Sequence, residues 1–312
     1  MSTILDIPAN VAVTDYNLFP IDPTRGICVV VFIEVIRSNP NGDVDNAGRP
    51  RIDSFDRLFM RNAAIKRKIR DSAKLNGVKL WMDHGINLQR SFDPYINGKD
   101  EVEMERAYAD LWDLRLFGGT APVEGKTKLW NGKPIRNVGA GPMQLTDAVS
   151  LDPVTLTPIG LTRVAHGKET EDGDARANMG NYSIAEAAVL RLEIEYLPHN
   201  AAGVTADDLR TFFKALIECW GDTRSAARTG VNVRQVYLFD FARTNMEPKH
   251  VMLSRVLAEN QGDVTGIESY RTGVNTRGLP AGVGVTIWND GSVQKHQGDV
   301  GVIEVSPRVF TF

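Results

Sequence analysis

The sequence lacks the features that mark membrane, secreted and disulfide-linked proteins. No stretch approaches the roughly 18 consecutive apolar residues of a membrane-spanning helix, and the N-terminus lacks the basic-then-apolar order of a secretory signal. Only two cysteines occur, Cys28 in a strand-like run and Cys219 in a helix-like run, so we predict buried thiols without a disulfide or zinc site. We therefore expect a cytoplasmic protein with no membrane partner.

The sequence also lacks the common signatures of catalysis. No Gly-x-Ser-x-Gly, Walker or dinucleotide-binding pattern is present. The five histidines are scattered without metal-ligand spacing, at His84, His166, His199, His250 and His296. We therefore expect a protein that is not an enzyme and that needs no cofactor and no metal.

Net positive charge is absent from the chain as a whole but not from one segment of it. The net charge of the 312 residues is −3, which argues against a surface that is basic throughout. Between Gly48 and Lys74, however, nine basic residues face only three acidic ones. The acids concentrate elsewhere, in 100–113 and 169–174. This segregation predicts one basic surface for a polyanion.

A predicted strand precedes that basic stretch, and a predicted helix forms most of it. Residues 26–37, rich in β-branched and aromatic side chains, predict a buried strand that ends at an Asn-Pro-Asn-Gly turn. Residues 54–76 place apolar side chains on one face of a helical period, with Asp53 or Ser54 as N-cap and Gly77 as the stop. A basic helix therefore follows a basic loop.

The rest of the chain alternates between strand and helix patterns. Thr205 and Asp208 have capping-box spacing before a helical apolar stripe. The other predicted elements are a short helix near 102–114, strands at 142–150 and 155–166, a loop at 167–182, an alternating half-buried strand at 188–197 and a strand at 233–241. The order predicts an α+β fold, a ferredoxin-like or RRM-like antiparallel sheet with helices. One face of such a sheet is free of helices, and single-stranded RNA is often bound there.

The loop at 38–53 admits several interpretations. A calcium loop fails because its fifth position is Ala47 and its twelfth is Ser54. Asp43 and Asp45 could hold a divalent ion in a ribonuclease, although turn capping and pairing with nearby arginines is the simpler interpretation. A phosphate-binding loop agrees best with the adjacent basic helix. Three later arginines either extend the basic surface or stabilise a helix C-terminus: Arg224, Arg228 and Arg234.

Six motifs occur together in the order of a known family. They are "NPNGDVDNAGRPRID", "IKRKIRD", "DLRLFGG", "GPMQ" followed by "SLDPV", "NMGNY" and "DTRSAARTGVNVRQVYLF". In this combination, over residues 27–255, the chain resembles the backbone subunit of type I CRISPR Cascade complexes, closest to the I-B and I-C variety, of the RAMP superfamily.

The resemblance implies a single elaborated domain. Its parts would be an N-terminal extension at 1–25, an RRM-like palm from 26–77, 141–161 and 186–255, inserted fingers at 78–140, a thumb loop at 162–185 and a C-terminal elaboration at 256–312. Phosphate contacts and a thumb wedge would place ten residues at RNA: Asn41, Arg49, Arg51, Arg61, Lys66, Lys68, Arg70, Gln144, Arg163 and Met179.

The implied partners are macromolecules. Copies of the chain would stack head-to-tail on one CRISPR RNA, beside other Cascade subunits, and target DNA would be reached only through the guide. In the related type III backbone an Asp near the first loop cuts RNA, so a metal-dependent ribonuclease using Asp43 or Asp45 remains the alternative. A binder of single-stranded nucleic acid outside immunity is a third hypothesis.

Overall fold

A computed structural model describes residues 14–98, 101–120, 128–162, 179–201, 203–242 and 247–306. Its strands are β1 Gly26–Ser38, β2 Gly42–Asp43, β3 Arg49–Pro50, β4 Phe59–Met60, β5 Gly118–Thr120, β6 Leu129–Trp130, β7 Lys133–Pro134, β8 Asn137–Ala140, β9 Met143–Leu145, β10 Ala148–Ser150, β11 Leu156–Thr162, β12 Met179–Tyr196, β13 Val231–Phe241, β14 Val256–Asn260, β15 Tyr270–Asn275, β16 Gly284–Asn289, β17 Ser292–Gln297 and β18 Val302–Val305. Its α-helices are α1 Asn62–Leu75, α2 Met104–Asp110, α3 Trp112–Phe117, α4 Ala206–Asp222 and α5 Lys249–Ser254.

The predicted α+β fold is confirmed, and its centre is one large antiparallel sheet. The main path of that sheet runs β17-β16-β13-β1-β12-β10-β4, while β9 and β11 also pair with β12. Within it, β13-β1-β12-β10 with α1 and α4 reproduces the arrangement of a split β-α-β domain. Long-range pairing of β1 with β12 and β13 therefore organises the fold.

Helices α1 and α4 cover one face of the sheet and form its main core. Ile65, Ile69 and Phe212 lie in this core, and the predicted capping box of α4 is present, with Thr205 and Asp208 bonded reciprocally. The segment before β1 joins the same layer, because Phe19 stacks on Phe213 at 4.8 Å between ring centroids. The predicted buried thiols are confirmed, since Cys28 and Cys219 are both free and buried.

The predicted open face of the sheet is wrong. Residues beyond β13 form a second layer on that side, with α5 and a β14-β15-β18 sheet over the core side chains of β1, such as Phe32. The strand predicted at 188–197 is not half-buried, because Arg191 on its second face donates to the carbonyl oxygens of Leu253 (2.7 Å) and Val256 (3.0 Å). Both faces of the central strands are therefore covered, so RNA has no open sheet face there.

The predicted basic helix is shorter than its periodicity indicated. It begins at Asn62, after the N-cap Arg61, and not near Ser54. The Asp53 carboxylate accepts hydrogen bonds from the backbone N–H groups of Phe55 and Arg57 (2.8 and 3.0 Å), which stabilises a turn in competition with a helix. Residues 59–60 then pair with β10 as a strand.

Two other predicted elements also differ from the structure. The helix expected near 102–114 is divided into α2 and α3 at Leu111, whose backbone is extended. The loop expected at 167–182 ends earlier, because β12 already begins at Met179, paired with Thr162. Residues 163–178, which include most of the predicted thumb, lie outside the described residues. Across the described residues, no helix is long and apolar enough to span a membrane.

Candidate nucleic-acid interface

A cleft of about 230 Å³ lies between α1, the loop that follows β1 and the segment that follows α4. We call it the basic cleft, and its lining consists of Pro40, Asn41, Ala64, Arg67, Lys68, Asp71, His84, Trp220 and Arg228. Three of these side chains are basic, Arg67, Lys68 and Arg228, and one, Asp71, is a carboxylate. The cleft is therefore a concave site with net positive charge.

Backbone contacts hold the two loops of the basic cleft together. The Asn39 N–H donates to the Ala227 carbonyl at 2.7 Å, and the Ile36 N–H donates to the Gly230 carbonyl at 2.8 Å. A Cβ atom on Gly230 would lie only 2.0 Å from the Ile36 carbonyl oxygen, so this close approach requires glycine. The approach places Arg228 beside the end of β1.

Lys68 and Arg228 are the two cations of the basic cleft that form no ion pair with any described residue. Lys68 Nζ lies 5.9 Å from the Trp220 ring centroid and donates to the Thr223 carbonyl at 3.2 Å. Burial foremost, and then the charge of Arg228, lower the pKa of Lys68. The Nε of Arg228 is buried and has no hydrogen-bond partner among the described residues. Asp71 offsets part of this repulsion at Lys68, and an anion between Lys68 and Arg228 would relieve the remainder.

The single acid of the basic cleft is already neutralised. Asp71 Oδ1 accepts from Arg67 Nε at 2.9 Å and lies 3.2 Å from Nε2 of the exposed His84. Arg67 also reaches across to the Met82 carbonyl, at 2.8 Å. These contacts fix the wall of the cleft, and Asp71 forms its ion pair with Arg67 and not with Lys68 or Arg228.

Tertiary contacts neutralise most of the predicted basic segment. Six of its nine cations pair with carboxylates, in Arg51–Asp43, Arg57–Asp53, Arg61–Asp147, Arg67–Asp71, Arg70–Asp113 and Lys74–Asp83. Four of those acids lie outside the segment, Asp43, Asp83, Asp113 and Asp147. Of these nine cations, Arg49, Lys66 and Lys68 form no ion pair with the described residues. Far fewer cations of this segment are therefore available to a ligand than the nine counted in the sequence.

The surroundings of Arg70 contradict the predicted contact with RNA. Its Nε donates to Asp113 Oδ2 at 2.7 Å, and the two side chains are only 8% and 0% exposed. Asp113 also accepts from the backbone N–H groups of Trp81 and Met82, at 2.6 and 3.1 Å. Arg70 therefore joins α1 to Asp113 of α3, and its guanidinium is buried and not a surface group that could contact RNA.

Lys66 lies apart from Lys68. Its Nζ is 5.1 Å from the Phe117 ring centroid, and the Arg70 guanidinium carbon is 4.9 Å from the same centroid. Burial, and then the neighbouring charge of Arg70, lower the pKa of Lys66 to about 8. A half-buried ammonium without a carboxylate partner in the described residues is a candidate anion contact, but a second one, separate from the basic cleft.

The loop residues predicted to bind RNA have distinct surroundings. Asn41 lies in the basic cleft, where its Oδ1 accepts from the Arg61 N–H at 2.9 Å. The Arg61 side chain is 62% exposed and only 3.4 Å from Asp147. Arg49 is exposed, whereas Arg51 is half-buried with its guanidinium 2.8 Å from Asp43. Asn41 and Arg49 therefore remain the candidates of this loop with accessible polar groups.

The remaining predicted residues lie away from the loop or outside the description. Gln144 is half-buried in β9, and its Nε2 donates to the Gly141 carbonyl at 2.6 Å. The backbone of Met179 starts β12, and Arg163 lies outside the described residues.

The sequence alone left open whether Arg228 belongs to the basic surface. Of the three later arginines, Arg228 lines the basic cleft, Arg224 is exposed, and Arg234 is buried 2.6 Å from Glu34. Trp220 and His84 were not singled out for binding, and only the proximity created by folding brings them to Lys68. The sequence signal for this position was Gly230, because a glycine allows the close approach of the Arg228 segment to the end of β1.

The fold defines an RRM-like α+β protein, and the basic cleft is its candidate anion site. Residues 26–275 match the family model described as CRISPR-associated protein Cas7, and the chain therefore belongs to the Cas7 family. No curated protein matches the chain.

Solved structures similar to this chain include subunits of CRISPR complexes. A chain of "CRISPR RNA-guided surveillance complex, pre-nicking" has 14% identity and a TM-score of 0.42, with 69% of this chain and 75% of that chain covered. A chain of "CRISPR RNA-guided surveillance complex" has 15% identity and a TM-score of 0.38, with 69% and 68% covered. A chain of "Cryo-EM structure of the Type III-B Cmr-beta bound to cognate target RNA" has 15% identity and a TM-score of 0.38, with 69% and 61% covered.

Proposed function

We propose that this Cas7 protein is the CRISPR-RNA-binding backbone subunit of a type I Cascade complex, of the I-B or I-C variety, and not an enzyme. The observation that carries RNA binding is the convergence of Lys68 and Arg228 in the basic cleft, where neither forms an ion pair with the described residues. Membership of the family supports the assignment to a guide-RNA complex.

The arrangement suits binding that is independent of base sequence. Ammonium and guanidinium groups attract phosphates, which every nucleotide carries, so they hold a strand without reading it. Lys68 and Arg228 would contact phosphate directly, and the exposed Arg49 would add a further cation. Recognition of target DNA then depends on base pairing with the guide, as in RNA-guided systems generally.

The backbone role requires repetition along the guide. A head-to-tail interface between identical copies generates an open helical array, and we propose that copies of this chain associate in this way, next to other Cascade subunits. The thumb at 162–185, with Arg163 and the Met179 wedge, remains part of the proposal. Unstacking a base step with such a wedge costs a few kcal/mol, which phosphate contacts must offset.

The basic cleft can be tested by the salt dependence of RNA binding. We expect Lys68→Ala with Arg228→Ala to lower the slope of log affinity against log salt by about 1.4 per protomer, about 0.7 for each lost phosphate contact on a single strand. The loss should be equal for unrelated RNA sequences. Fluorescence anisotropy from low to moderate salt measures it.

Arg224→Ala is the matched control, because Arg224 is exposed on the same segment but does not line the basic cleft. An equal effect of Arg224→Ala would show a diffuse electrostatic field instead of a defined site. Stable co-purified RNA of defined length in a high-order assembly is the accompanying result for a backbone subunit.

The alternative is a metal-dependent ribonuclease using Asp43 or Asp45. The Asp43 carboxylate is 2.8 Å from the Arg51 guanidinium, which favours a structural role for it. The described residues contain no group of three or more potential metal ligands. Magnesium-dependent RNA cleavage that is lost on Asp43→Ala would favour the nuclease, and a monomer that binds any single strand would favour a role outside immunity.

A further inference from the structure

An exposed aromatic side chain lies at the tip of a small hairpin next to the predicted phosphate loop. Residues 51–59 form this hairpin, because the Phe59 N–H donates to the Arg51 carbonyl and the Asp53 N–H donates to the Arg57 carbonyl, both at 2.9 Å. Phe55 lies at its tip and is 69% exposed. The Phe55 ring is therefore accessible to a ligand on an ordered turn.

The tip is held in one conformation. Asp53 Oδ1 accepts from the Phe55 and Arg57 backbone N–H groups at 2.8 and 3.0 Å. The Asp56 carbonyl accepts from the Val154 N–H at 2.9 Å, which ties the tip to the segment before β11. Because the turn is already ordered, a ligand that contacts Phe55 loses little affinity to loop ordering.

One side of the Phe55 ring already has a neighbour. The Arg57 guanidinium carbon lies 5.3 Å from the ring centroid, and Arg57 is in turn paired with Asp53 at 2.9 Å. A planar ligand could stack on the ring while this ion pair stays hydrated. A protein pocket that enclosed the ring would instead have to desolvate the ion pair, which is unfavourable.

We propose that Phe55 is a stacking platform for an unpaired nucleobase of single-stranded RNA. This inference rests on the proposed RNA-binding function and adds a base contact to it. The strand leading into the hairpin carries the exposed Arg49, which has no ion pair among the described residues and would attract the adjoining phosphate. Aromatic stacking combined with cations is a common mode of sequence-tolerant single-strand binding.

A single-stranded RNA carrying 2-aminopurine at successive positions tests the platform. With the unaltered full-length protein, we expect quenching at the stacked position. Phe55→Leu should abolish that quenching and weaken binding about fivefold or more, whereas Phe55→Tyr should retain both. The salt slope should not change in Phe55→Leu, because no charge is removed.

Val300→Ala is the matched control, since Val300 is a 50% exposed apolar residue outside both the phosphate loop and the hairpin, and it should leave quenching unchanged. Unaltered quenching in Phe55→Leu, with RNA still bound, overturns the stacking proposal alone. A loss of self-association in Phe55→Leu without RNA, with quenching retained, overturns it in favour of a protein contact. Absence of RNA binding by the unaltered protein overturns the proposed function as well.

Discussion

Half-buried Lys66 should lower the free energy of unfolding of the free protein and strengthen the binding of RNA. Burial and the adjacent Arg70 lower its pKa to about 8 in the folded chain, compared with 10.5 for an ordinary lysine. Between these values the unfolded chain binds more protons than the folded one. The free energy of unfolding should therefore rise with pH through this window.

Replacement of Lys66 by an uncharged residue of similar shape should remove that effect. We expect Lys66→Met to be more stable than the unaltered protein at pH 7, by on the order of 1 to 3 kcal/mol after allowance for solvent screening, from about 1.4 kcal/mol per pH unit. The difference should shrink steadily above pH 8. Urea unfolding at several pH values, followed by tryptophan fluorescence, measures both quantities.

Lys66→Met should stabilise the free protein but weaken its binding of RNA. If a phosphate contacts Lys66, the complex raises the pKa of its ammonium, so affinity should fall above pH 8 by up to about tenfold per pH unit. Lys66→Met should bind more weakly at pH 7 and lack this pH dependence, whereas Lys66→Arg should keep its charge throughout. A Lys66→Met protein that is less stable at pH 7, or whose stability difference is independent of pH, would refute the reasoning.

Two further predictions concern the framework of the site. Asp113→Ala leaves a buried guanidinium without its carboxylate and should lower the free energy of unfolding by about 3 to 5 kcal/mol; Lys79→Ala, which breaks an exposed pair, should change it by less than about 1 kcal/mol in the same urea titration. Gly230→Ala places a Cβ atom 2.0 Å from the Ile36 carbonyl oxygen, so it should separate the two loops of the basic cleft. Fluorescence anisotropy should then show weaker RNA binding. Unchanged affinity in a folded variant would contradict this prediction.

Local elements could be predicted from the sequence because their determinants lie close together in the chain. The β-branched run of β1 and the capping box of α4 were both confirmed. The ordered motifs also indicated the correct family over most of the chain. The start of α1 could not be predicted from periodicity, because the Asp53 turn and pairing with β10 compete with the helix over 54–60.

By itself, the sequence determined a strand, a turn and a basic helix in succession, and hence the presence of positive charge near the first loop. Only the tertiary structure decided which charges remain for a ligand. Asp113 buries Arg70, whereas Arg228 joins Lys68 from more than 150 residues away. Likewise, the chain beyond β13 covers a face that the local pattern of β12 left open. Neutralisation and burial depend on distances in space, and residues far apart in the chain supply them.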